Sequence, residues 1–435
     1  MTPELTCNVT LVSQEALFKL RVEVVVLRFL AILRLYCFCI GTVCLTVDLS
    51  AQGQTNSSLE SARQAMVQEA VVVAGVKNER VIQSLRDTLR HEFIGRQLRS
   101  KAYFDMALPI GARQTISSPF IVAYMTEALE PQPTDKILEI GTGSGYQAAV
   151  LSPLVDRVYT IEIVESLGRK AISTLKRLKY RNIFVKIGDG FKGWPDHAPF
   201  DKIIVTCSPE SVPQPLIDQL KDGGRMVIPV GERFQQTLYL FTKQNGTLEP
   251  VALRPTLFVP MTGTAEDSRE IQPDPTNPQI LNGNFEEALP ENGFVAGWYY
   301  QRQLTVETSP ESDVGQFVTF QNEDPGRSAH LMQGFAIDGS AVAEVALSAK
   351  TRYERVYPGR NRTELPVIAI SFYDANRKQL NAQWLGPFRG TAAWHETSKV
   401  FRVPTNAHTA ILRIGLFGAT GIASFDDIQL RSKPR

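Results

Sequence analysis

The sequence predicts an α/β domain on a doubly wound, mostly parallel sheet over residues 80–264, followed by an all-β sandwich over residues 280–435. Three observations carry this. Between residues 136 and 258, apolar strand-like runs alternate with amphipathic segments, the pattern of parallel strands joined by covering helices. The first such strand, Ile137-Leu-Glu-Ile, runs directly into the glycine-rich turn Gly141-Thr-Gly-Ser-Gly145. A polar segment carrying Pro273, Pro275 and Pro278 then separates this texture from short alternating runs split by Gly, Pro and Asn turns.

With 435 residues the chain is too long for one compact core, and its 43% hydrophobic and 21% charged composition is that of a folded protein. Lys and Arg total 46 against 45 for Asp and Glu, so there is no broad basic footprint and nucleic acid is not an expected partner. Four of the five cysteines (Cys7, Cys37, Cys39, Cys44) precede residue 50, which leaves Cys207 alone in the remainder and excludes a disulfide framework there.

Residues 22–47 are mostly apolar, with Lys19 and Arg21 before them and Arg28 and Arg34 within, and the run ends at Asp48-Leu-Ser-Ala-Gln. A basic start, an apolar run and small residues make residues 1–51 a signal peptide or membrane anchor. The internal arginines fit that layout better if translation begins near Val26; an ordinary buried helix is the other reading. No basic residue comes after Arg34 until Arg63, so the positive-inside rule places the folded part that follows outside the cytoplasm. Residues 52–79 read as a linker, although helical periodicity already begins at Leu59 and runs to Arg99.

The strands predicted in order are Lys136-Ile-Leu-Glu-Ile, Arg157-Val-Tyr-Thr-Ile-Glu, Asn182-Ile-Phe-Val-Lys-Ile, Asp201-Lys-Ile-Ile-Val-Thr, Arg225-Met-Val-Ile-Pro-Val and Thr237-Leu-Tyr-Leu-Phe-Thr. The glycine loop after the first suits a dinucleotide or a plain turn as well, and it lacks the Gly-x-Gly-x-x-Gly spacing that wraps a pyrophosphate. Its context is more informative. Glu162 ends the next strand about 20 residues on, where a carboxylate can accept from both ribose hydroxyls of an adenosine. Asp189, in Ile187-Gly-Asp-Gly, closes the third strand as an acceptor for an adenine amine. The carboxyl ends of parallel strands are where such folds bind ligands, so these groups are expected to share one pocket. The basic residues Arg169, Lys170, Lys176, Arg177 and Lys179 alternate with Leu167, Ala171, Leu175 and Leu178 at helical spacing, the pattern of a sheet-covering helix with a solvated face.

Three segments together resemble the protein-L-isoaspartate O-methyltransferases over roughly residues 81–263. They are Leu108-Pro-Ile-Gly-Ala-Arg-Gln-Thr-Ile-Ser117 with the following Ser-Pro-Phe-Ile, Ile137-Leu-Glu-Ile-Gly-Thr-Gly-Ser-Gly-Tyr-Gln-Ala-Ala, and Gly188-Asp-Gly with Gly193-Trp-Pro. The resemblance implies a Rossmann-like, S-adenosylmethionine-dependent methyltransferase that acts on isoaspartyl-containing proteins and peptides. It also implies that Ser117 is the active-site residue, with Gln114, Thr115 and Ile116 positioning substrate. The cofactor-binding set is then Glu139, Gly141, Thr142, Gly143, Gly145, Glu162, Asp189, Gly190 and Thr262, with no metal. Two departures are visible: Arg113 stands where the family often has Gly, and Thr206-Cys-Ser-Pro where it has small residues. The family is usually cytoplasmic and its cofactor is made there, which sets the apolar leader against the resemblance. Methylation of DNA bases is the rival within the fold, but Thr206-Cys-Ser-Pro is neither an acidic-Pro-Pro-aromatic clamp nor a Pro-Cys nucleophile. A degenerate methyltransferase fold serving as a scaffold beside a sugar-binding module is the alternative from outside enzymology, and a methyltransferase of another carboxylate substrate the alternative within it.

The chemistry asks for little machinery. A sulfonium already activates its methyl group, and a carboxylic acid of ordinary pKa, about 3.5 to 4, is ionised at neutral pH. No metal is needed, and His91 and His197 have no metal-ligand spacing. Ser118 and Pro119 read as the N-cap and first residue of a helix, so Ser117 and nearby N–H groups can orient an anion.

Residues 265–279 read as the second linker. Beyond them, Leu281-Asn-Gly-Asn-Phe-Glu286 with Gly297-Trp298 and the late Phe425-Asp-Asp-Ile-Gln-Leu resemble carbohydrate-binding modules or galactose-binding-like jelly rolls. This implies a glycan or surface ligand, with Trp298, Trp384 and Trp394 serving either as stacking platforms or as core residues. Glu286 and Asp426 are a candidate oxygen-ligand pair for a structural calcium.

Overall fold

The computed structural model describes residues 58–287, 293–309 and 315–435; the leader expected over residues 1–51 lies outside them. The chain divides at Arg63, and everything from Gln64 to Arg435 forms one unit. Within that unit a helical turn over Val67–Val72 buries Val67, Ala70 and Val71. The stretch falls within the linker expected over residues 52–79, where the helical periodicity that begins at Leu59 is the signal that holds, and its apolar face is buried. Helix α1 (Glu79–Asp87) comes next, capped by the Asn78 side chain, which accepts from the N–H groups of Arg80 and Val81. A hairpin of β1 (Leu108–Gly111) and β2 (Gln114–Ile116) leads into α2 (Pro119–Leu129). There Ser118 is the N-cap and Pro119 the first helical residue, as the sequence predicts.

The sheet begins with β3 (Lys136–Ile140), then α3 (Tyr146–Leu151), β4 (Arg157–Glu162), α4 (Glu165–Arg177), β5 (Ile183–Ile187) and β6 (Phe200–Val205). After α5 (Gln214–Gln219), the chain continues into β7 (Leu220–Glu232), β8 (Gln235–Gln244) and β9 (Thr247–Thr256). The order across the sheet is β5-β4-β3-β6-β7-β8-β9. The first five strands in that order pair parallel, and β7-β8 and β8-β9 pair antiparallel. The chain therefore reverses direction across the sheet at β3, and the ends of β3, β4 and β6 open a crevice. All six predicted strands are present. Strand β9 escapes sequence reading because its exposed, Pro-interrupted Thr247–Thr256 run has no clean alternation. Leu138 and Ile140 from β3, Tyr159 and Ile161 from β4, and Ile203 and Val205 from β6 pack in one core. Helix α4 buries Leu167, Gly168, Ala171 and Leu175 and leaves its basic residues in solvent, so its charge belongs to a covering helix.

The second linker is docked rather than free at its start. Helix α6 (Thr264–Asp267) is followed by Arg269, whose buried guanidinium binds Glu266 Oε2 (3.0 Å), the Gly231 carbonyl (3.1 Å) and the Ser208 carbonyl (3.0 Å). The C-terminal region is all-β. Its strands are β10 (Leu304–Thr308), β11 (Gln316–Asn322), β12 (His330–Ala336), β13 (Val342–Tyr357), β14 (Val367–Tyr373), β15 (Gln379–Leu385), β16 (Gly390–Arg402), β17 (Thr409–Gly415) and β18 (Thr420–Pro434). They form two antiparallel sheets, β10-β11-β18-β13-β16 and β12-β17-β14-β15. Phe320, Leu347 and Phe425 of one share a core with Leu331, Phe372 and Leu412 of the other. Trp298 is fully buried in that core with its indole N–H on the Asn282 carbonyl (3.0 Å), so it is a packing residue and not a stacking platform. Trp394 is half-buried against Phe317, and Trp384 is half exposed. Glu286 accepts the Gln316 N–H (2.7 Å), and among the described residues no group of three or more His, Cys, Asp or Glu is arranged to hold a metal. No helix among the described residues is long and apolar enough to cross a membrane.

Candidate active site

Beyond β3 the chain turns through the glycine loop. Gly141 sits at φ +96°, and a Cβ there would stand 2.5 Å from the Thr206 hydroxyl, so only glycine fits. That hydroxyl donates to the carbonyls of Gly141 (2.8 Å) and Ile140 (3.0 Å), tying the loop to the end of β6. The N–H groups of Gly141 and Thr142 bond the Ile161 carbonyl (2.9 and 3.1 Å), which ties it to β4. Glu162 then grips the loop from the strand end, accepting from Gly143 N–H at 2.7 Å and Val164 N–H at 2.9 Å. Burial raises the Glu162 pKa, and those backbone donors oppose the rise.

The loop, the strand ends and the β1–β2 hairpin line one open cleft. Gln114 and Thr115 line it from the hairpin, and Gly141, Gly143, Glu162, Gly190 and Thr262 line it from the sheet. Seven of the residues predicted from sequence thus meet in one place. The others stand behind or beside it. Thr142 is buried and shares a 2.6 Å hydrogen bond with Thr160. Gly145 packs against Leu175, and Ile116 is buried at the end of β2. Ser117 comes directly after Ile116 and precedes the α2 cap. Asp189 sits at the rim, where its Oδ1 accepts from Phe191 N–H (2.9 Å) and its Oδ2 from the Thr264 hydroxyl (2.7 Å) and N–H (3.2 Å). Burial opposes its ionisation, but Thr264, Phe191 and Lys192 together outweigh it and hold the carboxyl below the usual range.

Glu139 is the anomaly. It is fully buried on β3, and neither of its oxygens has a partner at full hydrogen-bond geometry; the Thr160 hydroxyl, which shares a bond with Thr142, is near enough to act on it. Burial pushes its carboxyl up to about 8, Thr160 pulls the other way and the Glu162 charge adds to the rise. A buried acid without a partner, two residues before the glycine loop, fits a cationic group bound at the loop.

Sequence reasoning missed Ile163, Val259, Pro260 and Met261 in the lining. Apolar residues after a strand end carry no chemical signature, and residues 259–261 run beside the end of β6, where Ser208 bridges to Pro260 and Met261 packs in the sheet core. Cys207 also lines the cleft. Burial, with the Glu162, Asp189 and Glu139 charges adding, drives its thiol far above its ordinary range, so it is an uncharged wall and not a nucleophile. The hairpin turn explains the other departure from the family pattern. Ala112 and Arg113 lie at φ +49° and +60°, a left-handed turn in which glycine is the unstrained residue.

Comparison with known sequences agrees with this geometry. The family profile of protein-L-isoaspartate(D-aspartate) O-methyltransferase (PCMT) matches residues 61–266. The protein-L-isoaspartate O-methyltransferase of Opitutus terrae is 48% identical over 215 residues, covering 48% of this chain and 92% of the relative. That of Pelotomaculum thermopropionicum is 51% identical over 202 residues, 46% of this chain and 88% of the relative. That of Gloeobacter violaceus is 48% identical over 198 residues, 45% of this chain and 97% of the relative. Nearly the full length of these relatives lies on the part of the chain that holds the glycine loop, the hairpin and the cleft, and the chain belongs to the protein-L-isoaspartate O-methyltransferase family.

Proposed function

We propose that this protein transfers the methyl group of S-adenosylmethionine to the free carboxylate of L-isoaspartyl residues in damaged proteins and peptides, as a repair enzyme. The observation that carries the reading is that Gln114 and Thr115 line the same cleft as Gly141, Gly143 and Glu162. Substrate-facing and cofactor-facing groups thereby share one space. When bound, S-adenosylmethionine supplies a methyl group already activated on a sulfonium.

The chain's own residues bind, orient and exclude water. Each Glu162 oxygen takes one backbone N–H and keeps a lone pair for a ribose hydroxyl. Asp189 and Thr262 hold the adenine end, and the unpartnered Glu139 offers negative charge to the cationic methionine end. Gln114, Thr115 and Ile116 place the isoaspartyl group, and Ser117, next to the α2 N-terminus, orients its carboxylate. In-line positioning of this kind supplies up to about 7 to 11 kcal/mol of barrier lowering.

The test is methyl incorporation into an isoaspartyl peptide and its aspartyl twin; equal labelling of both would overturn the specificity. Ser117→Ala should lower turnover and leave cofactor binding intact, and Asp189→Ala should weaken that binding. Absence of S-adenosylmethionine binding by calorimetry would favour the scaffold reading instead. For the all-β region we propose a jelly roll with a glycan or surface ligand, for which the half-exposed Trp384 is the available ring. We further propose that the apolar leader places the enzyme outside the cytoplasm or on the membrane. Fractionation with N-terminal sequencing tests this, and a cytoplasmic product retaining residues before Ala51 would refute it.

A further inference from the structure

The segment between Trp298 and β10 stays tied to β12, with Tyr299 and Met332 exchanging backbone hydrogen bonds (2.8 and 2.9 Å) and Arg302 N–H on the His330 carbonyl (3.0 Å), while its side chains reach the methyltransferase part. Tyr299 donates its hydroxyl to the Phe234 carbonyl (3.1 Å) at the β7–β8 turn. Tyr300 donates to the Ser118 hydroxyl, the same oxygen that caps α2. Arg302 binds Asp105 Oδ2 at 2.5 Å, while Asp105 Oδ1 accepts the Phe120 N–H at 3.0 Å. The Arg302 guanidinium also lies over the Phe120 ring, 4.3 Å from its centre. Both routes end on the first turn of α2, at residues 118 and 120, immediately after Ser117.

This contact is built and not incidental. The side chains of Arg302 and Asp105 are only 13% and 18% exposed, so their ion pair is shielded from solvent. Tyr300 is held at φ +57°, a left-handed conformation that is strained for a non-glycine residue and persists only where its surroundings enforce it. The partners are 182 and 197 residues apart in the chain, so local folding does not bring them together.

We propose that Tyr300 and Arg302 are positioning residues for methyl transfer, through which the all-β region clamps the start of α2 and fixes the Gln114–Ser117 segment over the cleft. The proposal rests on the reading that Ser117 and its neighbours handle substrate. Neither residue lines the cleft, so each acts through Ser118 or Asp105. The all-β region is then part of the catalytic apparatus and not only a tethered module.

The experiment compares full-length wild type, Tyr300→Phe, Arg302→Leu and Arg302→Lys. Expected for Tyr300→Phe and Arg302→Leu are a kcat for isoaspartyl peptide lowered about tenfold, S-adenosylmethionine affinity within twofold of wild type, and partial recovery of kcat in Arg302→Lys. Hydrogen exchange at the amides of residues 114–121 should quicken in the first two variants, a readout that needs no turnover. Unchanged exchange in both would overturn the clamp, as would quickened exchange with kcat within twofold of wild type. A wild-type chain that methylates no isoaspartyl peptide, yet shows the exchange difference, refutes the substrate reading and supports the clamp.

Discussion

Replacing Glu139 by Gln tests whether an acid without partners stands behind the glycine loop. In the folded chain burial holds this carboxyl at about 8, against an ordinary value of 4.5. The folded state therefore binds its proton more tightly than the unfolded chain does, and unfolding releases it between those values. Stability contributed at this position falls as pH rises from about 4.5 to about 8, then levels off. The full span of roughly 3.5 units corresponds to an upper value of about 5 kcal/mol, at about 1.4 kcal/mol per unit. Glutamine does not titrate, and its unpaired amide costs about 1 to 3 kcal/mol at every pH, an offset without slope. Urea unfolding of ligand-free wild type and variant at pH 5, 7 and 9 should therefore give a stability difference that moves by several kcal/mol in favour of Glu139→Gln as pH rises. Parallel pH profiles, differing by less than about 1 kcal/mol across that range, would refute the argument. A cation bound beside Glu139 also favours its ionised form. Cofactor binding at pH 7 should thus release a proton in wild type and not in the variant, as calorimetry in two buffers of different ionisation enthalpy would reveal.

Gly141→Ala places a Cβ against the Thr206 hydroxyl at a left-handed φ, and should destabilise the fold by about 1 to 3 kcal/mol while abolishing cofactor binding; retention of wild-type affinity would contradict the close packing at the loop. Arg113→Gly relieves a left-handed side chain in an exposed turn, and thermal melting should show a gain of about 1 kcal/mol or less, with a loss pointing to an unrecognised contact of Arg113. Cys207, buried and uncharged, should resist iodoacetamide in the native enzyme at pH 8, and rapid alkylation would show that its wall of the cleft opens.

Much of the catalytic architecture was legible because its signals are local. A β-branched strand followed by Gly-Thr-Gly-Ser-Gly specifies a tight turn wherever it occurs, and the acid at the end of the next strand, Glu162, has to face that turn. Ser118-Pro119 announced the start of α2 by the same logic. What stayed hidden depends on neighbours distant in sequence. Nothing about Glu139 alone says that its carboxylate is unpaired, and nothing about Asp189 says that Thr264 already occupies one of its oxygens. Residues 259–261 line the cleft beside the end of β6, where Ser208 bridges to Pro260. Trp298 reads more readily as a core residue than as a sugar platform, and the packing of two sheets around it decides for the core. The change of texture near residue 280 marked a new architecture but could not show that residues 299–302 reach back into the first.

The pairing of β18 with β11 sets an order of events in folding. Phe425 lies opposite Val318, more than 100 residues back along the chain, whereas β3 and β4 join across a short helical connection. Contacts so distant must overcome chain-closure entropy before they stabilise anything, and sheets of that kind form slowly. The glycine loop and Glu162 belong to the quick, local part, and the grip of Tyr300 and Arg302 on α2 to the slow one. A refolding chain should therefore regain affinity for S-adenosylmethionine first and turnover only later, passing through a species that holds the methyl donor before it can deliver the methyl group.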